Sequence, residues 1–298
     1  MRVRPIPFTG YPLDRADEVR KRPEDLEAAW KNPEARVLGM WRGKPLVTAE
    51  PLGVNLDSAD LPGEPFVRLF LGFDESNVPW FAVSFDPAKD ALEVSDGTFG
   101  DLRPLAGRLP LDQAALFGTA RSVFAWHRTH RFCANCGSAS EAVEGGWKRQ
   151  CPSCGKEHFP RVEPVIIALV THGDAVLLGR GPKWPERFFS CLAGFVEPGE
   201  TIGDATRREV FEEAGVTVDD VSYLFGQPWP FPASLMLGVQ AEARDRAVRV
   251  DGVELAEARW FTREEVQAML AGTHPDVRPP FPIAVAHHLL RHWVTSPK

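Results

Sequence analysis

The sequence predicts a mixed α+β and α/β protein in three parts: an N-terminal α+β domain over 1–128, a small cysteine module over 129–160, and a layered α/β domain over 161–298. Three observations carry this reading. Short apolar runs broken by Gly, Asp and Pro fill the first part, two Cys-x-x-Cys pairs mark the second, and strand and helix periods alternate in the third. A chain of 298 residues suits about two ordinary domains and buries enough core to stand without disulfides.

In the first part, Val67-Arg-Leu-Phe-Leu71 and Trp80-Phe-Ala-Val-Ser84 read as strands. Residues 111–127 switch to helical spacing, with Leu116, Ala120, Val123, Phe124 and Trp126 on the expected buried face. No chemical motif stands in the first hundred residues, so packing, dimer formation or the shaping of a substrate entrance is expected of them. In the third part, Val165-Ile-Ile-Ala-Leu-Val170 and Ala175-Val-Leu-Leu178 read as strands joined at Thr171-His-Gly-Asp174. A strand-loop-helix unit over 189–214 follows, then strands over 221–225 and 235–241. Thr262-Arg-Glu-Glu265 is a capping box opening a short helix, and 284–293 reads as a terminal amphipathic helix.

The formal charge of −7 argues against a general nucleic-acid coat protein, whose affinity comes from basic residues neutralising phosphates. It leaves open a local pocket for a nucleotide or for one end of an RNA. Residues 1–7 carry two arginines but no apolar run behind them, so no secretory leader is expected. The longest apolar stretch, 164–170, is too short to span a bilayer, and a cytoplasmic location without membrane contact is expected.

Four of the five cysteines form the pairs Cys133-Ala-Asn-Cys136 and Cys151-Pro-Ser-Cys154, fourteen residues apart. Each pair folds into a knuckle that points two sulfurs at one ion, and Gly137 and Gly155 permit the turn that follows. Together they make a closed four-thiolate site for a structural zinc, a zinc ribbon. Arg131, Lys148, Arg149 and Lys156 are expected to offset its negative charge. His127, His130 and His158 read as bystanders, with His158 packing on the site. The fifth thiol, Cys191, reads as a small buried residue.

The chemistry lies in Gly194-Phe-Val-Glu-Pro-Gly-Glu200, seven residues, then Arg208-Glu-Val-Phe-Glu-Glu-Ala-Gly-Val216. Pro198-Gly199 turns the chain, Thr201 with Asp204 can cap a helix, and Gly215 stands where a helix needs a left-handed terminator. On that helix Glu209, Glu212 and Glu213 occupy i, i+3 and i+4 and project from one face. Alone, such a trio is usually a solvated acidic surface. In a pocket it is a site for hard divalent cations such as Mg2+ or Mn2+.

This stretch resembles the Nudix box, Gly-x5-Glu-x7-Arg-Glu-U-x-Glu-Glu-x-Gly-U with U apolar, at all nine constrained positions. The resemblance implies a Nudix α/β/α sandwich and a metal-assisted hydrolase. It makes Glu209 and Glu213 metal ligands, puts Glu212 in metal binding or water activation, and adds Glu254 and the backbone carbonyl of Ala193. Arg208 is expected to orient a carboxylate, and Glu200 to act as a supporting or outer ligand.

Beyond the box, Gln227-Pro-Trp-Pro-Phe-Pro-Ala-Ser-Leu-Met236 has three prolines in six residues, which stiffen a loop presenting Trp229 and Phe231. Rigid aromatic faces suit a flat nitrogenous ring. The segment resembles the Ser-Gln-Pro-Trp-Pro-Phe-Pro-x-Ser signature of NADH pyrophosphatases, with Gly226 in place of the first Ser. The preceding ribbon and the Ala286-His-His-Leu-Leu run agree with that family's layout. The resemblance implies cleavage of NAD(H) to nicotinamide mononucleotide and AMP, removal of NAD caps from RNA 5′ ends, and a homodimer. By matching position, Phe195 and Trp229 hold the nicotinamide, while Phe159, Ile167, Gln227, Phe231, Ser234, Met236 and Ala286 line the pocket. Arg103 matches an arginine that contacts a phosphate, and Gly146 stands where some relatives have an acidic residue. Two alternatives stay beside this reading: a Nudix hydrolase of another nucleoside diphosphate derivative such as an ADP-sugar, and a catalytically silent ribbon adaptor for RNA or protein.

Overall fold

The computed structural model describes residues 6–50, 52–59, 61–85, 94, 96–250 and 252–296. The start of the basic N-terminal stretch, residues 1–5, lies outside them. The chain divides into two compact units, 1–162 with 229–233, and 163–228 with 234–298. No helix of the described residues is long and apolar enough to cross a membrane.

The first unit opens with α1 (Asp17–Arg20) and α2 (Pro23–Trp30). Its sheet follows as β1 (Arg36–Trp41), β2 (Lys44–Val47), β3 (Asn55–Leu56), β4 (Pro65–Phe73), β5 (Pro79–Phe85) and β6 (Thr98–Phe99), in the order β4-β5-β1-β2-β6 with β3 beside β1. One core gathers Val37, Leu46, Phe70, Phe81, Val83 and Phe85 with Leu26, Ala29 and Trp30 of α2. Then come α3 (Leu102–Leu105) and the long α4 (Leu111–Thr129). Leu116, Ala120, Val123, Phe124 and Trp126 are all buried, as their spacing requires.

The cysteine module belongs to this unit, with strands β7 (Glu141–Val143), β8 (Lys148–Gln150) and β9 (Glu157–His158). Trp147 Nε1 donates to the Phe70 carbonyl of β4 at 2.7 Å. Arg149, buried, donates from Nε to Ser140 Oγ (2.8 Å) and from Nη1 to His127 Nδ1 of α4 (2.9 Å). His127 Nε2 then meets the Gly146 carbonyl at 2.8 Å. His127 stands outside the four-cysteine group and is a fully buried link between helix and module.

The second unit comprises β10 (Glu163–His172), β11 (Ala175–Arg180), β12 (Leu192–Phe195), α5 (Ile202–Ala214), β13 (Val218–Trp229, the last residue of which is counted with the first unit), β14 (Ser234–Ala243), β15 (Glu257–Thr262), α6 (Arg263–Ala271) and α7 (Val285–Thr295). Its sheet runs β13-β14-β10-β11-β15, with β12 also paired to β10. Alternate side chains of β10 serve opposite faces. Ile166, Ala168 and Val170 pack with Ala205, Val210 and Ala214 of α5. Ile167 and Leu169 pack with Val266 and Met269 of α6 and Leu289, Leu290 and Trp293 of α7. A strand covered on both faces needs no polar alternation, which is why 165–170 is continuously apolar. The result is the helix–sheet–helix sandwich expected for this part.

The 227–234 segment departs from expectation. Gln227, Pro228 and Trp229 close β13 as strand, so the free loop is only 230–233. The strand extends because the Gln227 amide is anchored: Nε2 donates to Ile283 O at 2.7 Å, and Oε1 accepts from Val285 N at 2.8 Å.

Candidate active site

The box helix α5 starts where its sequence says. Thr201 Oγ1 accepts from the Asp204 amide and the Asp204 carboxylate accepts from the Thr201 amide, a reciprocal capping box. Gly215 ends the helix at φ 68°. Between these caps the three glutamates part company. Glu209 and Glu213 are buried, at 9% and 8% exposure, whereas the Glu212 side chain is 54% exposed.

Arg208 sits at the centre of the acidic group. It pairs with Glu200 at 2.6 Å, Glu209 at 2.9 Å and Glu212 at 3.0 Å, and donates to the Phe195 carbonyl at 2.9 Å. The sequence reading gave it one carboxylate; it touches three. The Glu200 carboxyl is held at about 2, first by the hydrogen bonds from Arg208 and next by the Glu197 amide. Glu209 moves the other way. Burial raises its pKa, Glu212 and Glu254 add to the rise, and Arg208 opposes it.

Glu213, Glu254 and Ala193 line one cavity of about 370 Å³, together with Lys183, Trp184 and Leu255. Gly194 forms the cradle beside it: a Cβ there would overlap the Glu209 carboxyl group. The donor set is thus carboxylate-rich and oxygen-lined, which fits a hard divalent cation. Among the described residues, only the four module cysteines bring three or more ligand atoms within 4.8 Å of one another. Of the glutamates, Glu213 and Glu254 line the cavity, and the described carboxylates do not converge on one point.

The cysteines do converge. Cys133 and Cys154 sulfurs lie 3.7 Å apart, and those of Cys136 and Cys151 lie 3.5 Å apart. Zinc–sulfur bonds of about 2.3 Å at tetrahedral angles require about 3.8 Å between sulfurs, so the four thiols fit zinc. Gly137 (φ 76°) and Gly155 (φ 72°) close the knuckles by donating to Cys133 O and Cys151 O. His158 Nε2 lies 3.3 Å from Cys133 Sγ, packed on the site. Two expected counter-charges are committed elsewhere: Lys148 pairs with Glu144 and Glu157, and Arg149 is held by Ser140 and His127. Cys191 is buried in the second unit's core, and burial pushes its thiol up to about 12.

The residues matched to the substrate fall into several environments. In the second unit, Phe195 is exposed at the end of β12, and Ser234 and Met236 are half-buried on β14. Ile167 and Ala286 lie in the hydrophobic core, and Gln227 has no exposed surface. In the first unit, Phe159 is exposed beyond β9. Trp229 stands edge-on to Phe8 (6.2 Å) and Phe231 (5.1 Å), and Arg103 lies over Phe231 at 4.5 Å. Gly146 is structural. It adopts φ 88°, and a Cβ would stand 2.8 Å from the Arg68 carbonyl, so an acidic side chain there would displace the backbone. Sequence reasoning missed Arg42, Arg121 and Arg128, which share a cleft with Arg103. They are too scattered along the chain to form a motif.

Three family descriptions match the chain: a NUDIX domain over 160–282, an NADH pyrophosphatase zinc ribbon domain over 128–159, and an NADH pyrophosphatase-like rudimentary NUDIX domain over 34–126. The chain is 43% identical to the NAD-capped RNA hydrolase NUDT12 of Homo sapiens, across 96% of this chain and 73% of that protein. It is 37% identical to the NAD-capped RNA hydrolase NudC of Mycobacterium tuberculosis, across 94% of this chain and 92% of that protein.

Proposed function

The chain belongs to the NADH pyrophosphatase-like Nudix hydrolases, and from that premise we propose that it cleaves the diphosphate of NAD(H) to nicotinamide mononucleotide and AMP, and removes NAD caps from RNA 5′ ends. The observation that carries the reading is the cavity where Glu213, Glu254 and Ala193 meet, beside the buried Glu209.

Glu209, Glu213, Glu254 and the Ala193 carbonyl are the proposed holders of Mg2+ or Mn2+. A divalent cation bound there would neutralise charge on the diphosphate and acidify an attacking water. Glu212, more exposed, is the proposed further metal holder or acceptor of that water's proton. Arg208 positions the carboxylates by its ion pairs and keeps Glu200 ionised. Phe195 is a proposed face for the nicotinamide ring, with Ser234 and Met236 beside it as contacts. Trp229 is likewise a proposed stacking face, and Phe159, Phe231 and Arg103 are proposed substrate contacts in its unit. Ile167, Gln227 and Ala286 contribute as buried supports.

The reading includes residues 1–128, 129–160 and 161–298 as N-terminal domain, ribbon and hydrolase domain, and a homodimer in the cytoplasm. Two Cys-x-x-Cys pairs gathered as a metal site, rather than a disulfide framework, suit a reducing compartment.

The test is to incubate the purified protein with NADH or NAD-capped RNA and either ion, and to follow AMP, nicotinamide mononucleotide and 5′-monophosphate RNA. Glu213→Gln should abolish turnover with the fold intact. Trp229→Ala should reduce activity on NADH far more than on ADP-ribose; equal losses would overturn the stacking role. Tight RNA binding with no turnover under either ion would point to the adaptor instead.

A further inference from the structure

Within the first unit, a cleft of about 420 Å³ is lined by Arg42, Arg103, Arg121 and Arg128, with Asp101 the one carboxylate among its described lining residues. Four cations against one anion leave an excess of three positive charges around one opening, in a chain whose formal charge is −7. Each arginine is placed by local structure. Arg42 and Gly43 form the two-residue turn between β1 and β2, both at positive φ (52° and 73°), the geometry of a tight hairpin turn. Arg121 and Arg128 stand seven residues apart on one face of α4. Arg103 lies in α3, whose N-cap is Asp101; that carboxylate accepts from the Arg103 amide at 3.1 Å and so is engaged at the helix start.

Guanidinium groups crowded in this way repel one another. Arg121 is held below the usual arginine range, chiefly by burial, with Arg103 and Arg128 adding to the effect and Asp101 opposing it. Such a group gains most from an anion that several forks can share, and phosphate oxygens match the guanidinium fork. The cleft is large enough for a small ligand. Its walls are aromatic too: Phe66 and Phe124 line it, and the Phe231 ring has Arg103 and Arg121 each 4.5 Å from its centre. Phosphate-binding arginines next to aromatic faces are what single-stranded nucleic acid requires, since phosphates are neutralised while bases stack.

We propose that this cleft binds a phosphodiester-linked nucleotide of the RNA chain beyond the NAD cap. The proposal rests on the reading that capped RNA is a substrate. NADH has no such chain, so Arg42 and Arg128 contribute to one substrate and not to the other, while Arg103 and Phe231, already proposed as substrate contacts, border both. A free mononucleotide shares the chemistry and is the competing occupant.

The test uses the full-length protein and the pair Arg42→Gln with Arg128→Gln, which leaves Arg103 and Phe231 in place. Binding is read by fluorescence anisotropy with a short single-stranded RNA bearing a 5′-hydroxyl, and fold integrity by circular dichroism. The pair should weaken RNA binding about tenfold and make the slope of log affinity against log salt shallower by about 1.4, two contacts at roughly 0.7 each. The kcat/KM on NAD-capped RNA should fall in step while that on NADH is unchanged. Arg42→Lys with Arg128→Lys keeps the charge and should retain the salt slope while losing part of the affinity. Unchanged RNA affinity and salt slope in the Gln pair would overturn the proposal. So would complete displacement of RNA from the wild type by AMP, with AMP binding lost equally in the Gln pair. If the wild type turns over neither NADH nor capped RNA, the hydrolase reading fails, and the binding comparison still decides the cleft.

Discussion

Arg208 grips Glu200 with two prongs, Nε at 2.6 Å from Oε1 and Nη2 at 2.9 Å from Oε2. The same guanidinium reaches Glu209 and Glu212, so one planar cation joins the loop carboxylate to two helix carboxylates. A lysine is a point charge on a flexible stem and cannot span them. Arg208→Lys should therefore lower kcat about 10- to 100-fold, the usual cost of losing a group that orients metal ligands. The KM for NADH should move less. Steady-state kinetics across a magnesium titration would check this, and an unchanged kcat would remove the positioning role.

Gly194 stands against the Glu209 carboxylate with no room for a side chain. Gly194→Ala should push Glu209 out of place and cost on the order of 100-fold in kcat, as a misplacement of about 1 Å can. Circular dichroism should show an unchanged fold, because α5 keeps both caps. Wild-type turnover in this variant would mean that Glu209 need not occupy its observed position.

The four thiols predict one zinc per chain. Cys133→Ser, or a chelator strong enough to strip zinc, should unfold the ribbon, since structural zinc contributes on the order of 10 kcal/mol in such modules. Metal analysis with thermal unfolding would read both effects. Full thermal stability in zinc-free protein would refute the structural assignment.

His127 makes the first unit sensitive to acid. Burial is the main reason its pKa falls to about 4; the bond to Gly146 opposes the shift and the Arg149 charge adds to it. The unfolded chain takes up the proton nearer the ordinary value of about 6.5. The stability this neutral ring confers is therefore full above about 6.5 and is lost as pH falls from there towards about 4, at most about 3 kcal/mol. In His127→Gln, the decline of the denaturant midpoint between pH 6.5 and 4 should be shallower than in the wild type. Parallel pH profiles would contradict the assignment.

Where short-range geometry turns spacing into position, the sequence was readable. Glu209, Glu212 and Glu213 share one stretch of helix because 3.6 residues make a turn, and Thr201 and Gly215 mark its ends. Cysteine pairs two residues apart bring their sulfurs together because the knuckle is a local turn. The continuous apolar run of β10 announced a strand covered on both faces. Spacing does not reveal a role that depends on what packs nearby. Nothing in the i, i+3, i+4 pattern said that Glu209 and Glu213 would be buried while Glu212 stayed exposed. The prolines of 227–232 suggested a free loop, yet the anchoring of Gln227 by Ile283 and Val285 extends β13 to Trp229.

The reaction class, the metal-binding residue types and the zinc module are legible in the order of amino acids, because each is written within one helix, turn or knuckle. It takes the folded chain to show that His127 and Arg149 tie the ribbon to α4, that Gly146 has no room for an acidic side chain, and that Arg42, Arg103, Arg121 and Arg128 line one cleft. Apart from Arg121 and Arg128 on one helix, the cleft arginines are about twenty or more positions apart, and their meeting is set by how the sheet of the first unit and α4 pack, which no local spacing encodes.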